Sequence, residues 1–343
     1  MLLSDLHQAV SLGALGRSGD PEILDVSQNS GAIRSGWMFA CVTGETSDGH
    51  EFAQSAVDGG AVALLAERPV DAGVPELIVS DTRTALAPIA AVLNGEPSRH
   101  LGIVGVTGTS GKTTVTMLMG QLLSLLGESA EVLGTLSGAR TTPEAPILQR
   151  QLREWLDEGV KFVAMEVSSH ALVQHRVDAI AFDVAVFLNL SPEHLDYHST
   201  MDGYFAAKRS LFVQHGATHL LVCTDDEWGQ RLAIQLGETA TTFGLHQLND
   251  IRTTGTGTSF VWRDEPTAVT MPGRFNVSNA QAAAETAFLL GYEPAQIAPL
   301  LPLLKPVPGR LEPVDEGQNY KVIVDYAHKP AALEVVLREA RSM

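Results

Sequence analysis

The residues with the clearest chemical meaning lie at positions 101–123, LGIVGVTGTSGKTTVTMLMGQLL. The first five are apolar or small and predict a buried strand, and an amphipathic helical pattern begins at Thr113. A tight loop of glycine, serine and threonine lies between them. The pattern differs from G-x-x-x-x-G-K-[ST] because Val106 stands in place of the first glycine. The flanking strand and helix still favour a phosphate-binding loop over a glycine-rich turn without a ligand.

This loop contains the residue types that bind phosphate. Gly108 and Gly111 let backbone N–H groups approach a phosphate at a helix N-terminus, which carries partial positive charge. Lys112 adds a full charge for the outer phosphates, and the Thr113 hydroxyl can be a ligand of Mg²⁺. We therefore predict that ATP or GTP binds here. The predicted nucleotide contacts in the loop are Gly108, Thr109, Gly111, Lys112, Thr113 and Thr114.

Composition narrows the class of protein. The chain has 343 residues, of which 45% are hydrophobic and 18% charged, and this predicts a globular protein of two or three domains. A net charge of −17 argues against a nucleic-acid-binding or anionic-membrane surface. Because there are only 2 cysteines, a disulfide framework is not expected, and this low number is consistent with a protein of a reducing compartment. The sequence has neither a signal-peptide pattern nor an apolar run of about 18 residues, which predicts a cytoplasmic protein.

The order of apolar and polar segments predicts an α/β fold in three parts. Residues 1–98 are predicted to form a small α/β domain of short strands and helices, among them a strand at 61–66 and a helix at 82–93. Residues 99–312 alternate strands and helices, which favours a doubly wound, mostly parallel sheet with its ligand at the carboxyl edge, and residues 241–271 suggest an antiparallel edge. Residues 313–343 begin a third α/β domain with one strand and one helix. These are too few for an independent core, so the chain is either a fragment or this element packs on the central domain.

Further candidate residues follow the central strands. Glu166 ends a buried strand, where its carboxylate could hold a metal on the nucleotide or be an ordinary strand-end residue. Ser191 is predicted to be a helix N-cap, with His194 in the first turn. His194 and His198 have the spacing to chelate a transition metal, but hard oxygen ligands beside a nucleotide favour Mg²⁺. The helical pattern alone predicts that Lys208 is a surface lysine over apolar neighbours.

Seven segments, in this order, resemble the Mur ligase family: TGTSGKTT, MEVSSHALVQHRV, NLSPEHLDYH, YFAAKRSLF, GRFNVSNA, GRLE and VDYAHKP. The resemblance covers nearly the whole chain. It implies an ATP-dependent ligase of peptidoglycan precursor synthesis, which we expect to be monomeric and which adds the third stem amino acid to UDP-MurNAc-L-Ala-D-Glu. In such enzymes the D-Glu γ-carboxylate attacks the γ-phosphate of ATP, and the incoming amine then displaces phosphate from the acyl phosphate.

The resemblance also implies roles for individual residues near the nucleotide. Lys112 and Thr113 match the phosphate-loop lysine and its neighbouring Mg²⁺ ligand, while Glu166 and His194 match the family's other metal ligands. Lys208 matches a lysine that CO₂ converts to a carbamate, whose carboxylate helps to hold a second Mg²⁺, so the resemblance contradicts a surface position. The implied contacts to adenine and to the rest of the nucleotide are Asn276, Asn279, Arg310 and Asp325.

On the substrate side, the resemblance points to two groups of residues. Contacts to the sugar and its acidic dipeptide are implied at Thr141, Thr142, Ser168, Gln174 and Arg176. An arginine suits a carboxylate because its guanidinium can donate two parallel hydrogen bonds. In the first domain, GETSDGHEF resembles the uridine-pocket loop, with Ser27 and His50 as candidate contacts. Gln28 departs from the pattern, because many relatives have arginine at that position.

The C-terminus also departs from the family pattern. Relatives continue after DYAH with a whole domain that carries an Asp-Asn-Pro-Arg type segment, which selects meso-diaminopimelate or lysine. No such segment is in these residues, so we expect the chain to bind the UDP-linked substrate without completing ligation by itself. HKP at 328–330 resembles members that use diaminopimelate. Two alternatives remain: another ligase of the superfamily such as folylpolyglutamate synthetase, or a truncated nucleotide- or UDP-sugar-binding protein without turnover.

Overall fold

The structure is a computed structural model that describes residues 1–16, 19–44, 46–138, 140–254, 257–271, 273–314, 316–328 and 330–342. Up to residue 100 the elements are α1 (Leu3–Val10), β1 (Ala14–Leu15), β2 (Asp25–Ser27), β3 (Trp37–Ala40), α2 (Ala53–Asp58), β4 (Ala61–Ala66), β5 (Glu76–Ile78) and α3 (Thr82–Leu93). They are followed by β6 (Gly102–Thr107), α4 (Lys112–Leu125), β7 (Ala130–Leu133), α5 (Ala145–Asp157), β8 (Phe162–Glu166), α6 (Ser169–Val173), β9 (Val184–Phe187), α7 (Leu195–His198) and α8 (Met201–Val213). The remaining elements are β10 (His219–Cys223), α9 (Glu227–Leu236), β11 (Ala240–Phe243), β12 (Asn249–Thr254), β13 (Gly257–Trp262), β14 (Glu265–Val269), α10 (Arg274–Leu289), α11 (Pro294–Ile297), β15 (Glu312–Val314), β16 (Val322–Val324) and α12 (Pro330–Ser342).

Contacts divide the chain into two compact units. Unit 1 consists of residues 1–100, 143–159 and 170–180, and unit 2 consists of the three remaining stretches. Two segments from later in the chain therefore fold with the first hundred residues, which the local sequence pattern does not indicate. The predicted division into three domains stays a prediction.

Unit 1 is built around a five-stranded sheet of order β1-β5-β4-β3-β2. The strands β2 to β5 are parallel, and the short β1 runs antiparallel to β5. Nearly every residue of β4, AVALLA, is buried, as expected for a central parallel strand covered on both faces. The predicted strand 61–66 and helix 82–93 are confirmed at those bounds.

Helix α5 is joined to the sheet of unit 1 by a charged contact. Arg150 Nη1 donates to Asp25 Oδ2 at 2.7 Å and to the Val26 carbonyl at 3.2 Å. The guanidinium also lies 5.1 Å from the centroid of the Trp37 ring. The Asp25 side chain is only 12% exposed, so water screens this attraction less than it would at the surface. This contact, together with the packing of α5 against α3, explains why the segment 143–159 belongs to unit 1.

Unit 2 contains a six-stranded parallel sheet of order β11-β10-β9-β6-β8-β7. The strand β6 lies inside the sheet, between β9 and β8, so the loops that follow these three strands meet at one edge. Helices α4 and α10 pack against each other. The predicted α/β class with a mostly parallel central sheet is confirmed.

The region after β10 differs from the sequence-based expectation of an antiparallel edge. The strand β11 is the edge of the main sheet and pairs with β10 in parallel, whereas β12, β13 and β14 form a separate antiparallel sheet. The helix α9 supplies the crossover that a parallel pair requires, and the sequence analysis did not identify it. The antiparallel pairing predicted for residues 241–271 is therefore confirmed for β12 to β14, whereas its predicted place as an edge of the main sheet was wrong.

At the C-terminal end of unit 2, β15 and β16 pair antiparallel and precede α12. The sequence pattern predicts one strand and one helix here, so β15 is an additional strand. Both cysteines are free and buried, and burial raises the pKa of the Cys41 and Cys223 thiols to about 12, so neither is a reactive thiolate near neutral pH. Within the ranges that the structure describes, no helix is both long and apolar enough to cross a membrane.

Candidate nucleotide and substrate site

The loop between β6 and α4 has a backbone conformation that favours glycine. Gly111 has φ +88°, and a Cβ added there would lie 2.8 Å from Asn279 Oδ1. Gly111 is also the N-cap of α4, and it has no side chain to cap the first backbone N–H groups. These N–H groups are therefore suited to an anion, as the sequence predicts for a phosphate-binding loop.

Two lysine side chains converge on one carbonyl of this loop. Lys112 Nζ donates to Gly108 O at 2.7 Å and to Thr109 O at 2.9 Å, and Lys208 Nζ donates to the same Gly108 O at 2.9 Å. Burial lowers the pKa of Lys208 well below its usual value, and the charge of Lys112 lowers it further. Burial also lowers the pKa of Lys112, against the opposing effect of Glu166. The surface position that the helical pattern predicted for Lys208 is wrong, because its side chain faces the loop and is 1% exposed.

Glu166 lies at the end of β8, beside the first turn of α4. Its Oε1 accepts hydrogen bonds from Thr113 Oγ1 at 3.0 Å and from Thr135 N at 2.8 Å. Arg310 Nη2 donates to the same Thr113 hydroxyl at 3.0 Å. A buried carboxylate and a hydroxyl at this distance form a hard-oxygen donor set of the kind that Mg²⁺ prefers.

Asn189 holds the phosphate loop and was not singled out from the sequence. Its Oδ1 accepts from Ser110 N at 2.9 Å, and its Nδ2 donates to Ser110 O at 3.1 Å. Its own carbonyl accepts from Thr109 N at 3.0 Å. Asn189 follows β9, the neighbour of β6 in the sheet, so a polar residue at that strand end was the signal that could have identified it.

The predicted N-cap at Ser191 is wrong. Helix α7 begins at Leu195, and its N-cap is His194, with φ +54°. Ser191 instead contacts the phosphate loop, because Thr109 Oγ1 accepts from Ser191 N at 3.0 Å and donates to Ser191 O at 3.3 Å. The backbone at residue 191 is therefore part of a loop-to-loop contact, and the helix starts later.

A second residue that sequence reasoning missed is Glu193, whose side chain is 16% exposed. Its negative charge opposes the lowering of the pKa of both Lys112 and Lys208. Its Oε1 lies 4.0 Å from His194 Nε2, and burial lowers the pKa of His194. An acid directly before a candidate metal-binding histidine was the available signal.

The two histidines at helical spacing lie in different surroundings. His198 stacks on the Tyr204 ring, with 5.0 Å between centroids, and its Nε2 lies 2.9 Å from Ser169 Oγ. His194 meets the same tyrosine edge-on at 6.3 Å. In the part of the chain that the structure describes, His, Cys, Asp and Glu do not gather in groups of three or more that could hold a metal. The metal ligands implied by the family resemblance remain a prediction.

The other nucleotide residues lie on α10 and in the C-terminal segment. Asn276 is 3% exposed and accepts from Asn279 Nδ2 at 3.4 Å, and Asn279 adjoins Gly111 of the phosphate loop. The Asp325 carboxylate accepts from Leu311 N and from Ala327 N, both at 2.7 Å. Asp325 therefore orders the segment directly after Arg310. Lys329, which is part of HKP, lies outside the described residues.

Three of the predicted substrate residues gather in unit 2. Thr142 Oγ1 donates to the Glu166 carbonyl at 2.8 Å and accepts from Ser168 N at 3.1 Å. The Thr141 hydroxyl lies 3.1 Å from that of Thr135, which also donates to Glu166 Oε2 at 3.4 Å. The hydroxyl groups predicted to contact the substrate thus lie near Glu166: Thr142 bonds its backbone carbonyl, and Thr141 is linked to its carboxylate through Thr135.

The predicted uridine residues lie in unit 1 and are held by internal hydrogen bonds. Glu67 N donates to His50 Nε2 at 3.0 Å, so the ring proton is on Nδ1, which donates to Asp48 Oδ1 at 2.6 Å. Arg68 donates to the other oxygen of Asp48 and lowers the pKa of that carboxyl. Ser27 Oγ accepts from Asn29 N at 3.1 Å. His50 therefore fixes the shape of the loop that resembles the uridine pocket; Glu45 of that loop lies outside the described ranges.

The remaining two substrate candidates, Gln174 and Arg176, also lie in unit 1. Arg176 Nη2 donates to Gln174 Oε1 at 2.5 Å and to Glu144 Oε1 at 2.9 Å. These residues line a small cleft formed by Gln28, Arg83, Leu86, Glu144, Ala145, Gln174, His175 and Arg176.

The parallel sheet, the phosphate loop and the carboxylate beside its helix define a nucleotide-binding α/β protein. Comparison with known families is more specific: the Mur ligase middle domain matches residues 106–287, and the catalytic domain of the Mur ligase family matches residues 22–92. The chain belongs to the Mur ligase family, and it is an ATP-dependent ligase of the class that forms C–N bonds.

Individual relatives agree with this family. The UDP-N-acetylmuramoyl-L-alanyl-D-glutamate–2,6-diaminopimelate ligase of Geobacillus kaustophilus is 41% identical, over 95% of this chain and 72% of its own length. A solved structure of a ligase with the same name has a TM-score of 0.79 and 28% identity, over 93% of this chain and 70% of that one. The MurF ligase of Thermotoga maritima in complex with ADP has a TM-score of 0.68 at 23% identity, over 92% of this chain and 74% of that one, which shows the shared fold.

Proposed function

We propose that this chain binds ATP and UDP-MurNAc-L-Ala-D-Glu for the addition of the third stem amino acid, meso-diaminopimelate, in peptidoglycan precursor synthesis. The observation that carries the proposal is the 3.0 Å hydrogen bond between Thr113 and Glu166, beside Lys112 at the start of α4. The name of the Geobacillus kaustophilus relative supports the substrate and the amino acid.

The proposed reaction has two steps. First, a γ-carboxylate oxygen of D-Glu bonds to the γ-phosphorus of ATP, the bond to the bridging oxygen breaks, and ADP leaves with that electron pair. Then the amine of the incoming amino acid bonds to the acyl carbon, phosphate leaves, and the amine loses a proton. Lys112 offsets the repulsion between the carboxylate and the triphosphate, so the protein acts by position and electrostatics.

The donor set fits Mg²⁺, because it offers a carboxylate and a hydroxyl next to a phosphate loop. In this proposal Thr113, Glu166, His194 and a carbamate on Lys208 would hold the metal. When bound, Mg²⁺ supplies positive charge that offsets the charge on the phosphates and on the attacking carboxylate. The nucleotide itself would be contacted by the phosphate loop together with Asn276, Asn279, Arg310 and Asp325.

The surroundings of Lys208 favour the carbamate. Because burial lowers the pKa of Lys208, a larger share of its amine is neutral, and only the neutral amine has an electron pair to attack CO₂. The nitrogen bonds to the carbon of CO₂, and one N–H proton leaves to water. The product is an anion beside Lys112, whose positive charge attracts it.

The remaining residues would bind the UDP-linked substrate. We assign Ser27 and the loop held by His50 to the uridine end. The sugar and dipeptide are assigned to Thr141, Thr142, Ser168, Gln174 and Arg176, on the basis of the hydroxyl cluster around Glu166 and of the guanidinium in the cleft.

The test is calorimetric titration of the chain with UDP-MurNAc-L-Ala-D-Glu and, with Mg²⁺ present, with a non-hydrolysable ATP analogue. The wild-type chain should bind both. Lys112→Ala should weaken binding of the analogue about tenfold or more, because it removes charge-assisted hydrogen bonds to phosphate, and should leave binding of the UDP-linked substrate unchanged.

Lys161→Ala is the matched control for this titration, since Lys161 is 68% exposed and paired with Glu128. It should bind both ligands like the wild type. An unchanged affinity of Lys112→Ala for the ATP analogue would contradict the role of Lys112, and a folded chain that binds neither ligand would contradict the proposed function.

A further inference from the structure

The cleft of unit 1 contains a cation that neither the family resemblance nor the proposed function uses. Arg83 lies in the first turn of α3 and lines the cleft together with Gln28 and Arg176. Within the described ranges, its guanidinium has one hydrogen bond, a long one of 3.4 Å from Nη2 to the Thr43 carbonyl. Among the residues that the structure describes, no carboxylate forms an ion pair with Arg83.

The other charges of the cleft are balanced within the protein. Arg176 donates to Glu144 at 2.9 Å, and both side chains are largely buried, at 9% and 13% exposure. His175 Nδ1 lies 2.6 Å from Asp178 Oδ2, so a positive charge on His175 would also be balanced. The cleft therefore keeps one uncompensated positive charge, on Arg83, and this charge would favour an anionic group there.

Gln28 lies in the same cleft, one residue after Ser27 of β2. Arg83 supplies a guanidinium to the same cleft from a different element, α3. The Gln28 amide can add a neutral N–H donor beside it.

We propose that Arg83, assisted by Gln28, binds an anionic oxygen group of the UDP-MurNAc-dipeptide, either a phosphate of the diphosphate or the D-Glu α-carboxylate. The assignment rests on the proposed function, because it places a further contact on the same substrate. A guanidinium suits both groups, since its parallel N–H donors match the two oxygens of a carboxylate or a phosphate. Arg176 is already paired with Glu144, whereas no carboxylate of the described residues pairs with Arg83.

The experiment is titration of the full chain with three ligands: UDP, UDP-MurNAc-L-Ala-D-Glu, and the same substrate with the D-Glu α-carboxylate converted to an amide. Arg83→Gln removes the charge and keeps a hydrogen-bonding side chain, while Arg83→Lys keeps the charge. We expect Arg83→Gln to weaken binding of the substrate about tenfold or more, with a smaller dependence of affinity on salt, and Arg83→Lys to restore part of the loss.

The three ligands separate the two sources of the anion. If Arg83 contacts the diphosphate, Arg83→Gln should weaken the binding of all three ligands by a similar factor. If Arg83 contacts the α-carboxylate, Arg83→Gln should weaken the binding of the unmodified substrate only. UDP and the amide analogue should then bind the wild type and the variant with equal affinity. Either result supports the assignment.

Arg99→Gln is the matched control, because Arg99 is a 66% exposed arginine of unit 1 that pairs with Glu96. If Arg83→Gln binds all three ligands with wild-type affinity, the assignment of Arg83 is overturned and the proposed function is left intact. The same holds if Arg83→Gln and Arg99→Gln lose affinity equally. A folded wild-type chain that binds none of the three would overturn the proposed function and this assignment together.

Discussion

Lys208 shows how strongly burial changes the chemistry of one side chain. Its ammonium would share the Gly108 carbonyl with Lys112 in a place where water cannot screen the two charges. The lowered pKa of Lys208 is the consequence. In the unfolded chain the same amine has an ordinary pKa. At any pH between the folded and the unfolded pKa, the unfolded state therefore binds more protons than the folded state. The free energy of unfolding should therefore rise with pH across that interval, until the pH reaches the ordinary pKa of a lysine amine, about 10.4.

We predict that Lys208→Met removes the contribution of this buried amine to the pH dependence of the free energy of unfolding. In CO₂-free buffer near neutral pH the variant should melt at a higher temperature than the wild type, because it no longer buries an amine that the unfolded state prefers to protonate. Its melting temperature should also rise less steeply with pH. Thermal unfolding at a series of pH values measures both effects, with Lys161→Met as the exposed-lysine control.

Added bicarbonate provides a second measurement on the same variants. It should stabilise the wild type through the carbamate and leave Lys208→Met unchanged. Parallel pH profiles for the wild type and Lys208→Met would contradict the buried-amine explanation.

The sequence predicted only part of this residue's role. A helical pattern identifies the apolar face of α8, on which Tyr204 and Leu211 lie, but not whether a lysine on that helix reaches a particular carbonyl. The contact joins Lys208 to Gly108, a hundred positions earlier in the chain. Asn189 was missed for the same reason, since its partners Thr109 and Ser110 lie in the loop after another strand.

At the scale of elements, the phosphate loop depends on the close approach of α10. Gly111 and Gly127 flank α4 and have nearly the same backbone angle, φ +88° and φ +90°. A Cβ at Gly127 would meet nothing within 4 Å, whereas one at Gly111 would lie 2.8 Å from Asn279 Oδ1. Substitutions at both glycines should therefore introduce similar backbone strain, but only a substitution at Gly111 also brings a side chain into contact with the neighbouring helix.

We predict that Gly127→Ala costs about 1 kcal/mol of stability from backbone strain alone and leaves nucleotide affinity unchanged. Gly111→Ala should cost more than Gly127→Ala and should weaken binding of the ATP analogue, because the side chain of Asn279, a proposed nucleotide contact, must move away from the added Cβ. Chemical unfolding and calorimetric titration of both variants provide the comparison. Equal effects of the two substitutions would show that the contact with Asn279 has no energetic importance.

Element types were predictable where the pattern is strong and local. The α3 helix begins after Asp81, whose side chain accepts from the backbone N–H groups of Arg83 and Thr84, and its predicted bounds are those observed. The edge strand β11 was misjudged, because its run of threonines fits a parallel and an antiparallel strand equally well. The intervening α9 decided the direction of pairing.

At the scale of the whole molecule, the division into units depends on contacts between distant segments. Arg150 and Asp25 lie on opposite sides of the phosphate loop in the sequence, yet both belong to unit 1. No local pattern encodes such a pairing, which is why the sequence analysis placed residues 143–159 with the central sheet.

We predict that Arg150→Ala destabilises unit 1 by about 2–4 kcal/mol, because it leaves the largely buried Asp25 carboxylate without its partner. Arg153→Ala is the control on the same helix; its partner Asp157 is exposed, and its loss should cost less than about 1 kcal/mol. Urea unfolding of both variants gives the two free energies. Similar values for the two would contradict the role of Arg150 in holding α5.

The discontinuous composition of unit 1 has a consequence for synthesis on the ribosome. Its sheet strands are complete by residue 78, but its last segment ends at residue 180. Because an emerging chain can bury only what has already been made, this half of the protein cannot reach its final packing until β6, α4 and β8 of the other half have also left the exit tunnel. Unit 1 therefore completes its packing only after part of unit 2 has been made, and a pause between residues 100 and 143 would leave the α3 surface that α5 packs against exposed.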